Sequence, residues 1–324
     1  MPTIVFDKTA TTNLKFGGDP SNRTLEELLD SGIFLISKPR GPTSHQLAAW
    51  VRQMLGLNRL GHGGTLDPMA TGLLTLLCGR ATRLTDIILS GEKSYVAVLR
   101  FGRDVSDEEL SNLLENLQGE IYNVPPKESA VKVQVRTRVI NSLKLLDSEE
   151  SSRIAVVEID CVAGTYIRTL ARDIGLFLDT KTELMELHRN NTGAFDESMS
   201  CSMQDLADAV FLWKEHDDES SLKKLIAPVE AVLTKLPSIT IKDGAVAAMT
   251  HGAPLARPGL VSAPAGLESG TTVVVRSLKG EAVAIASLSV GTDTFSEMAS
   301  GEVAVAKNVL MPAGQYGQTW SKQN

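Results

Sequence analysis

The chain has 324 residues, 43% of them apolar, and a formal net charge of −7. That length suggests about two domains with apolar residues enough for a sizeable core. No run approaches the ~18 apolar residues of a membrane span, the first residues lack a signal peptide's basic start and apolar core, and the acidic balance argues mildly against nucleic-acid binding. Together these imply a cytoplasmic protein.

Residues 1–23 read as a flexible leader. Ile33–Ser37 is β-prone and runs into the turn Lys38-Pro39-Arg40-Gly41-Pro42. Ser44 can cap a helix whose apolar positions Leu47, Trp50, Val51, Met54 and Leu55 fall at helical spacing, with Gly56 closing it. Gly61–Leu74 reads GHGGTLDPMATGLL. Its glycines permit backbone conformations closed to other residues, and Pro68 fixes the chain just after the lone carboxylate of Asp67. An aspartate in a turn is most often only a local cap; this rigid, glycine-lined setting suggests a carboxylate held out for chemistry. Leu73–Leu77 can form a buried strand and Ala81–Leu89 a short helix.

Ser94–Phe101 alternates, with Tyr95, Ala97, Leu99 and Phe101 on one face. Ser106 and Glu109 have capping-box spacing before Leu110, Leu113, Leu114 and Leu117. Ala130–Val135 and Ile154–Cys161 read as strands, Ser142–Ser152 as a polar surface loop, and Thr165–Leu178 as a helix. Leu187-His188-Arg189 ends a further helical run before Gly193. Past Pro237 the pattern turns to short β runs at Ile239–Ile241, Thr271–Leu278, Ala282–Val290 and Glu302–Asn308, with Lys279-Gly280 as a hairpin turn. The expectation is an α+β body, 24–236, with a mixed or antiparallel sheet, followed by a small β-barrel, 237–324. The boundary falls near residues 235–238.

Cys78, Cys161 and Cys201 lie far apart among apolar neighbours and read as core filler. His45, His62, His188, His216 and His251 form no ligand pair, so no metal site is expected. Basic residues gather at Lys38 and Arg40, at Arg80 and Arg83, at Lys127, Lys132, Arg136 and Arg138, and at Arg168 and Arg172. The acidic ones gather elsewhere, a segregation that fits one basic face on an acidic body and fits ordinary solvated surface equally well. Arg168 and Arg172 are four apart and share a helical face able to meet phosphate. Taken singly, Tyr95 is a half-buried strand residue and Arg189 a residue suited to a helix's C-terminal end.

In this order the segments resemble the TruB family of RNA pseudouridine synthases, closest to its archaeal and eukaryotic dyskerin-like branch. The resemblance covers nearly the whole chain. It rests on Lys38-Pro39 with Gly41–His45, on Gly61–Pro68, on Pro125-Pro126 with Ser129-Ala130-Val131-Lys132, on Val135–Val139, on Glu158–Gly175, and on Ile241–Gly252 as the start of a PUA domain. It implies that Asp67 attacks the target nucleoside, that Tyr95 stacks on the flipped base and helps proton transfer, and that Arg189 pairs with Asp67. A uridine inside folded RNA must be flipped out, and an aromatic face can hold it. The resemblance further implies RNA or substrate contacts at His62, Lys38, Arg83, Lys132, Tyr166 and Arg168, no cofactor and no metal. The implied partners are RNA (tRNA, rRNA, an H/ACA guide RNA) and small H/ACA accessory proteins, with no membrane. The implied activity is uridine isomerisation in the tRNA T-loop, or guide-directed in rRNA.

The chain departs from that branch at Met69-Ala70-Thr71, which looks bacterial, and at His188, where a double arginine is usual. Lys127-Glu128, Val133-Gln134 and the C-terminal Gln315–Asn324 replace more basic stretches, which reduces counterion release on RNA binding. A non-enzymatic RNA scaffold is the rival reading, but it need not keep Asp67, Tyr95 and Arg189 together. A carboxylate hydrolase would want a second acid beside Asp67.

Overall fold

The computed structural model describes residues 2–125, 134–149 and 153–317. The chain divides into two compact units. One comprises Phe34–Leu77 and Thr85–Leu225; the other comprises Met1–Ile33, Cys78–Leu84 and Ile226–Asn324. The expected strands at Ala130–Val135 fall largely outside the described residues.

The first unit is built on a mixed sheet in the order Gly32–Lys38, Thr71–Cys78, Thr182–Thr192, Lys93–Phe101, Ile154–Cys161, Arg136–Glu149, Gly119–Asn123. Thr71–Cys78 runs parallel to Thr182–Thr192, while Lys93–Phe101 is antiparallel to both of its neighbours. The alternation seen in the sequence is real: Tyr95, Ala97, Leu99 and Phe101 are the buried positions of their strand. They meet Val157 and Ile159 from the next strand, Leu110 and Leu114 from the helix Asp107–Asn116, and Ile167, Leu170 and Ile174 from the helix Ile167–Phe177. Each fully buried aliphatic side chain of this kind contributes about 1.5–3 kcal/mol.

Two expectations are corrected here. Leu187-His188-Arg189 lies not at the end of a helix but inside the strand Thr182–Thr192. Its leucines and glutamates favour helix locally, but pairing with strands on both sides overrides that propensity. Ser142–Ser152, expected as a loop, is mostly strand, since Arg136–Glu149 is a single 14-residue element. That strand is polar because much of it faces solvent.

The second unit carries a sheet in the order Thr3–Val5, Leu260–Pro264, Ser238–Ile241, Thr272–Arg276, Ala282–Leu288, Glu302–Val309, Leu255–Ala256. Helix Asp243–Thr250 packs on it through Val246, Ala247 and Met249. Gly280, with φ 86°, makes the turn of the predicted hairpin. The segment expected as a leader carries a strand and aromatic contacts. Thr3–Val5 pairs antiparallel with Leu260–Pro264, Phe6 stacks edge-on against Phe295 beneath the Arg257 guanidinium, and Phe16 packs on Tyr316. Arg23 forks onto Glu230 through two bonds of 2.7 Å, and Glu230 also accepts the Ala282 N–H at 2.7 Å. Among the described residues no helix is long and apolar enough to cross a membrane.

Candidate active site

Asp67 lies in a loop whose backbone is clamped on both sides of it. Thr43 caps the helix Ser44–Leu55 by accepting the Gln46 N–H, and Gln46 returns a bond to the Thr43 N–H. The expected cap, Ser44, has another task. Fully buried, it donates to the Leu66 carbonyl (3.0 Å) and accepts the Leu66 N–H (2.8 Å). Lys38, also buried, donates through Nζ to the carbonyls of Ala70 (2.7 Å), Pro39 (3.0 Å) and Pro68 (3.4 Å). The Gly41 N–H reaches the same Pro68 carbonyl at 2.8 Å. Residues 66, 68 and 70 are thereby fixed, and the Asp67 side chain projects from a rigid frame. Burial lowers the Lys38 ammonium from its usual range; the Asp67 charge opposes that shift and the Arg189 charge adds to it.

Behind the loop, three strands bring Gly72, Arg189 and Tyr95 into one row, with Arg189 opposite Gly72 on one side and Tyr95 on the other. Gly72 has φ 96°, and a Cβ there would stand 2.8 Å from the Arg189 nitrogen and closer still to its carbonyl oxygen. Glycine is therefore required by both conformation and approach. Arg189 is 1% exposed. Its Nε donates to the Leu73 carbonyl (2.9 Å) and its Nη2 to the Gly64 carbonyl (3.1 Å). Tyr95 is 9% exposed; burial raises its phenol above the usual value, the facing Arg189 charge lowers it, and Asp67 raises it. Lys93, at the start of the same strand, caps the helix Thr85–Ser90 by donating to the carbonyls of Gly91 (2.5 Å), Leu89 (2.9 Å) and Ile88 (3.0 Å). Burial, aided by the Arg189 charge, lowers the Lys93 ammonium to about 8.

The expected ion pair is corrected. Asp67 is bound by Arg168, through Nε at 2.9 Å and Nη2 at 3.1 Å, while Arg189 donates to the Leu73 and Gly64 carbonyls and faces Tyr95. Arg168 reaches the loop from the first turn of Ile167–Phe177, and Arg189 is drawn into the sheet by acceptors directly around it. Tyr166 precedes that turn, with its N–H bonded to the buried Asn123 side chain at 2.8 Å.

His62 is half-buried, its ring 4.7 Å from that of His45 in an edge-on arrangement. Burial holds its imidazole below the usual value, reinforced by His45 and Arg189. His188, the departure from the double arginine, joins Thr71 Oγ1 (2.8 Å) to Glu197 (2.7 Å). Arg83 falls in the other compact unit, where its guanidinium donates to the Val309 carbonyl and its own carbonyl accepts from Asn308. Lys132 lies outside the described residues. Among the described residues no group of three or more His, Cys, Asp or Glu is placed to hold a metal ion.

Four family models match the chain: the TruB family pseudouridylate synthase N-terminal domain over residues 52–167, the tRNA pseudouridylate synthase B C-terminal domain over 168–234, the PUA domain over 237–310, and the DKCLD (NUC011) domain over 3–48. A probable tRNA pseudouridine synthase B of Pyrobaculum calidifontis is 40% identical, covering 96% of this chain and 93% of the relative. The chain belongs to the TruB family. Its relatives include a probable tRNA pseudouridine synthase B of Methanocaldococcus jannaschii, 37% identical over 99% of this chain and 95% of that one. Among solved structures, a chain of a Cbf5–Nop10–Gar1 complex matches with a TM-score of 0.90 at 36% identity, covering 98% of this chain and 96% of its own. A chain of an H/ACA RNP bound to a substrate RNA containing 2'-deoxyuridine matches with a TM-score of 0.90 at 34% identity, covering 98% and 97%. As a TruB-family member the protein is an RNA pseudouridine synthase, a uridine isomerase, and its α+β body carries a PUA domain.

Proposed function

We propose that Asp67 is the reacting carboxylate of this synthase, with Tyr95 and Arg189 completing the site. The observation that carries this reading is the clamped loop: Lys38, Ser44 and Gly41 fix the backbone around Asp67 and leave its carboxylate 34% exposed, near enough for its charge to act on Tyr95. In the reaction the C1′–N1 bond of a flipped uridine breaks, the uracil turns, and C1′ bonds C5. The C5 proton leaves and N1 gains a proton, so product and substrate are isomers and no redox partner is consumed. Arg189, buried and fixed, supplies positive charge where the departing uracil becomes negative. Tyr95 offers a face for the base and a phenol for proton transfer. His62, Tyr166 and Arg168 are proposed RNA contacts; Lys38 acts by holding the loop.

The names of the relatives support a tRNA uridine as substrate. The likeness to chains from Cbf5–Nop10–Gar1 and H/ACA complexes supports assembly with small accessory proteins and a guide RNA, and hence rRNA targets. We assign residues 24–236 to catalysis, 237–324 to RNA binding, and the protein to the cytoplasm. The test is incubation with a T-loop tRNA transcript and with guide-paired RNA, with and without accessory proteins, followed by pseudouridine mapping. Asp67→Asn is expected to form no product while still binding RNA. Absence of product from wild type under every condition, or full activity in Asp67→Asn, overturns the reading.

A further inference from the structure

Among the described residues, the cation within ion-pair distance of Asp67 is Arg168, and both side chains are partly open to solvent, at 34% and 37%. The groups beside them are closed off. Arg189 and Lys38 are buried and both donate to backbone carbonyls, and Tyr95 is largely covered. A base cannot stack on a covered ring, so something must move before the reaction, and the Arg168–Asp67 pair is the partly solvated contact at this place. The fork that Arg168 offers a carboxylate fits a phosphate equally well. Arg168 sits in the first turn of an 11-residue helix whose N-cap, Tyr166, makes no side-chain cap bond, and the helix dipole there favours an anion of either kind. Arg172, four residues on, is more exposed and pairs with its neighbour Asp173. A strand of RNA nearing this helix meets Arg172 in the open and Arg168 already held by the catalytic carboxylate.

We propose that Arg168 is a latch on Asp67 that an RNA backbone phosphate releases. The proposal rests on the reading of Asp67 as the reacting carboxylate of an RNA synthase. Without RNA, Arg168 holds the carboxylate in a fork. When RNA binds, a phosphate replaces the carboxylate on that fork, and Asp67 is freed toward the incoming base. No covalent bond changes in this step. Carboxylate and phosphate then compete for one cation, so Asp67 weakens RNA binding, and it does so through Arg168.

The experiment is a thermodynamic cycle on the full chain. The probe is a tRNA T-arm stem–loop already carrying pseudouridine at the target position, so no variant turns it over. Its affinity is measured by fluorescence anisotropy, at several salt concentrations, for wild type, Asp67→Asn, Arg168→Ala and the double variant, with Arg168→Gln as a second form of the arginine deletion. Asp67→Asn is expected to bind about two- to fivefold more tightly than wild type, the range set by a half-exposed ion pair. In either Arg168 background the same change should leave affinity unaltered. Arg168→Ala should also reduce the salt slope by roughly one phosphate contact. Equal tightening in both backgrounds, no tightening in Asp67→Asn, or no binding of this RNA by wild type overturns the latch. Failure of the catalytic reading shows separately, as absence of pseudouridine formation by wild type on unmodified RNA.

Discussion

Gly72→Ala tests whether the row formed by Gly72, Arg189 and Tyr95 is as tight as its geometry implies. Two costs are expected. The residue has φ 96°, a conformation that costs a non-glycine residue about 1–3 kcal/mol. The new methyl would also stand 2.8 Å from the Arg189 nitrogen, on a strand paired on both sides that has little room to retreat; overpacking of this kind costs about 1–3 kcal/mol. The sum is roughly 2–6 kcal/mol, a large share of the ~5–15 kcal/mol that holds a typical native chain. Gly119→Ala separates the two. Its φ is 92°, and nothing lies within 4 Å of an added Cβ, so it carries the conformational cost alone, about 1–3 kcal/mol. Urea unfolding of both variants and wild type reads the difference. Gly72→Ala should also lose isomerase activity, because Arg189 and Tyr95 are displaced, whereas Gly119→Ala should keep it at a temperature where it stays folded. A Gly72→Ala chain no less stable than Gly119→Ala refutes the argument from close approach.

Two further outcomes follow from buried charges. Arg23→Ala leaves Glu230 unpaired, with only 10% of its side chain exposed, and should cost about 3–5 kcal/mol; Arg100→Ala, which breaks a half-exposed pair with Glu183, should cost no more than about 1 kcal/mol, and similar losses in urea unfolding would contradict the distinction. Lys93 is lowered in the folded chain to about 8, below the ~10.4 of an unfolded lysine. Between those values the unfolded chain binds more protons, so folding stability supplied through Lys93 rises as pH increases from about 8 toward ~10.4 and is least below that window. The stability of wild type relative to Lys93→Met, measured by urea unfolding across that range, should therefore grow with pH; a shrinking difference would reverse the assignment.

The parts of the site that local chemistry dictates could be read from the residues. Glycines and a proline around Asp67 announced a rigid loop, and period-two alternation placed Tyr95 on a buried strand face. The cap of the helix Ser44–Leu55 is also written in local spacing. Thr43 and Gln46 are three apart, a capping-box pattern, which leaves Ser44 for its role at Leu66. Other features depend on partners far away in sequence. Arg189 lies on a strand because residues 71–72 and 93–101 flank it, and its glutamate- and leucine-rich neighbours speak locally for helix. Which arginine meets Asp67 was likewise undecidable from order alone: Arg168 and Arg189 are both far along the chain, and only the placement of the carbonyls of Leu73 and Gly64 takes Arg189 out of the contest.

The pairing of Thr3–Val5 with Leu260–Pro264 has a consequence for the order of events on the ribosome. Thr3–Val5 belongs to a sheet whose other strands begin at Ser238, so it emerges long before the strand it joins. At ~5–20 residues per second, synthesis of the intervening chain takes on the order of tens of seconds. Through that interval the opening segment has no template, while the sheet carrying Tyr95 and Arg189 can already assemble. That sheet is thus completed last, by a strand made long before its partners.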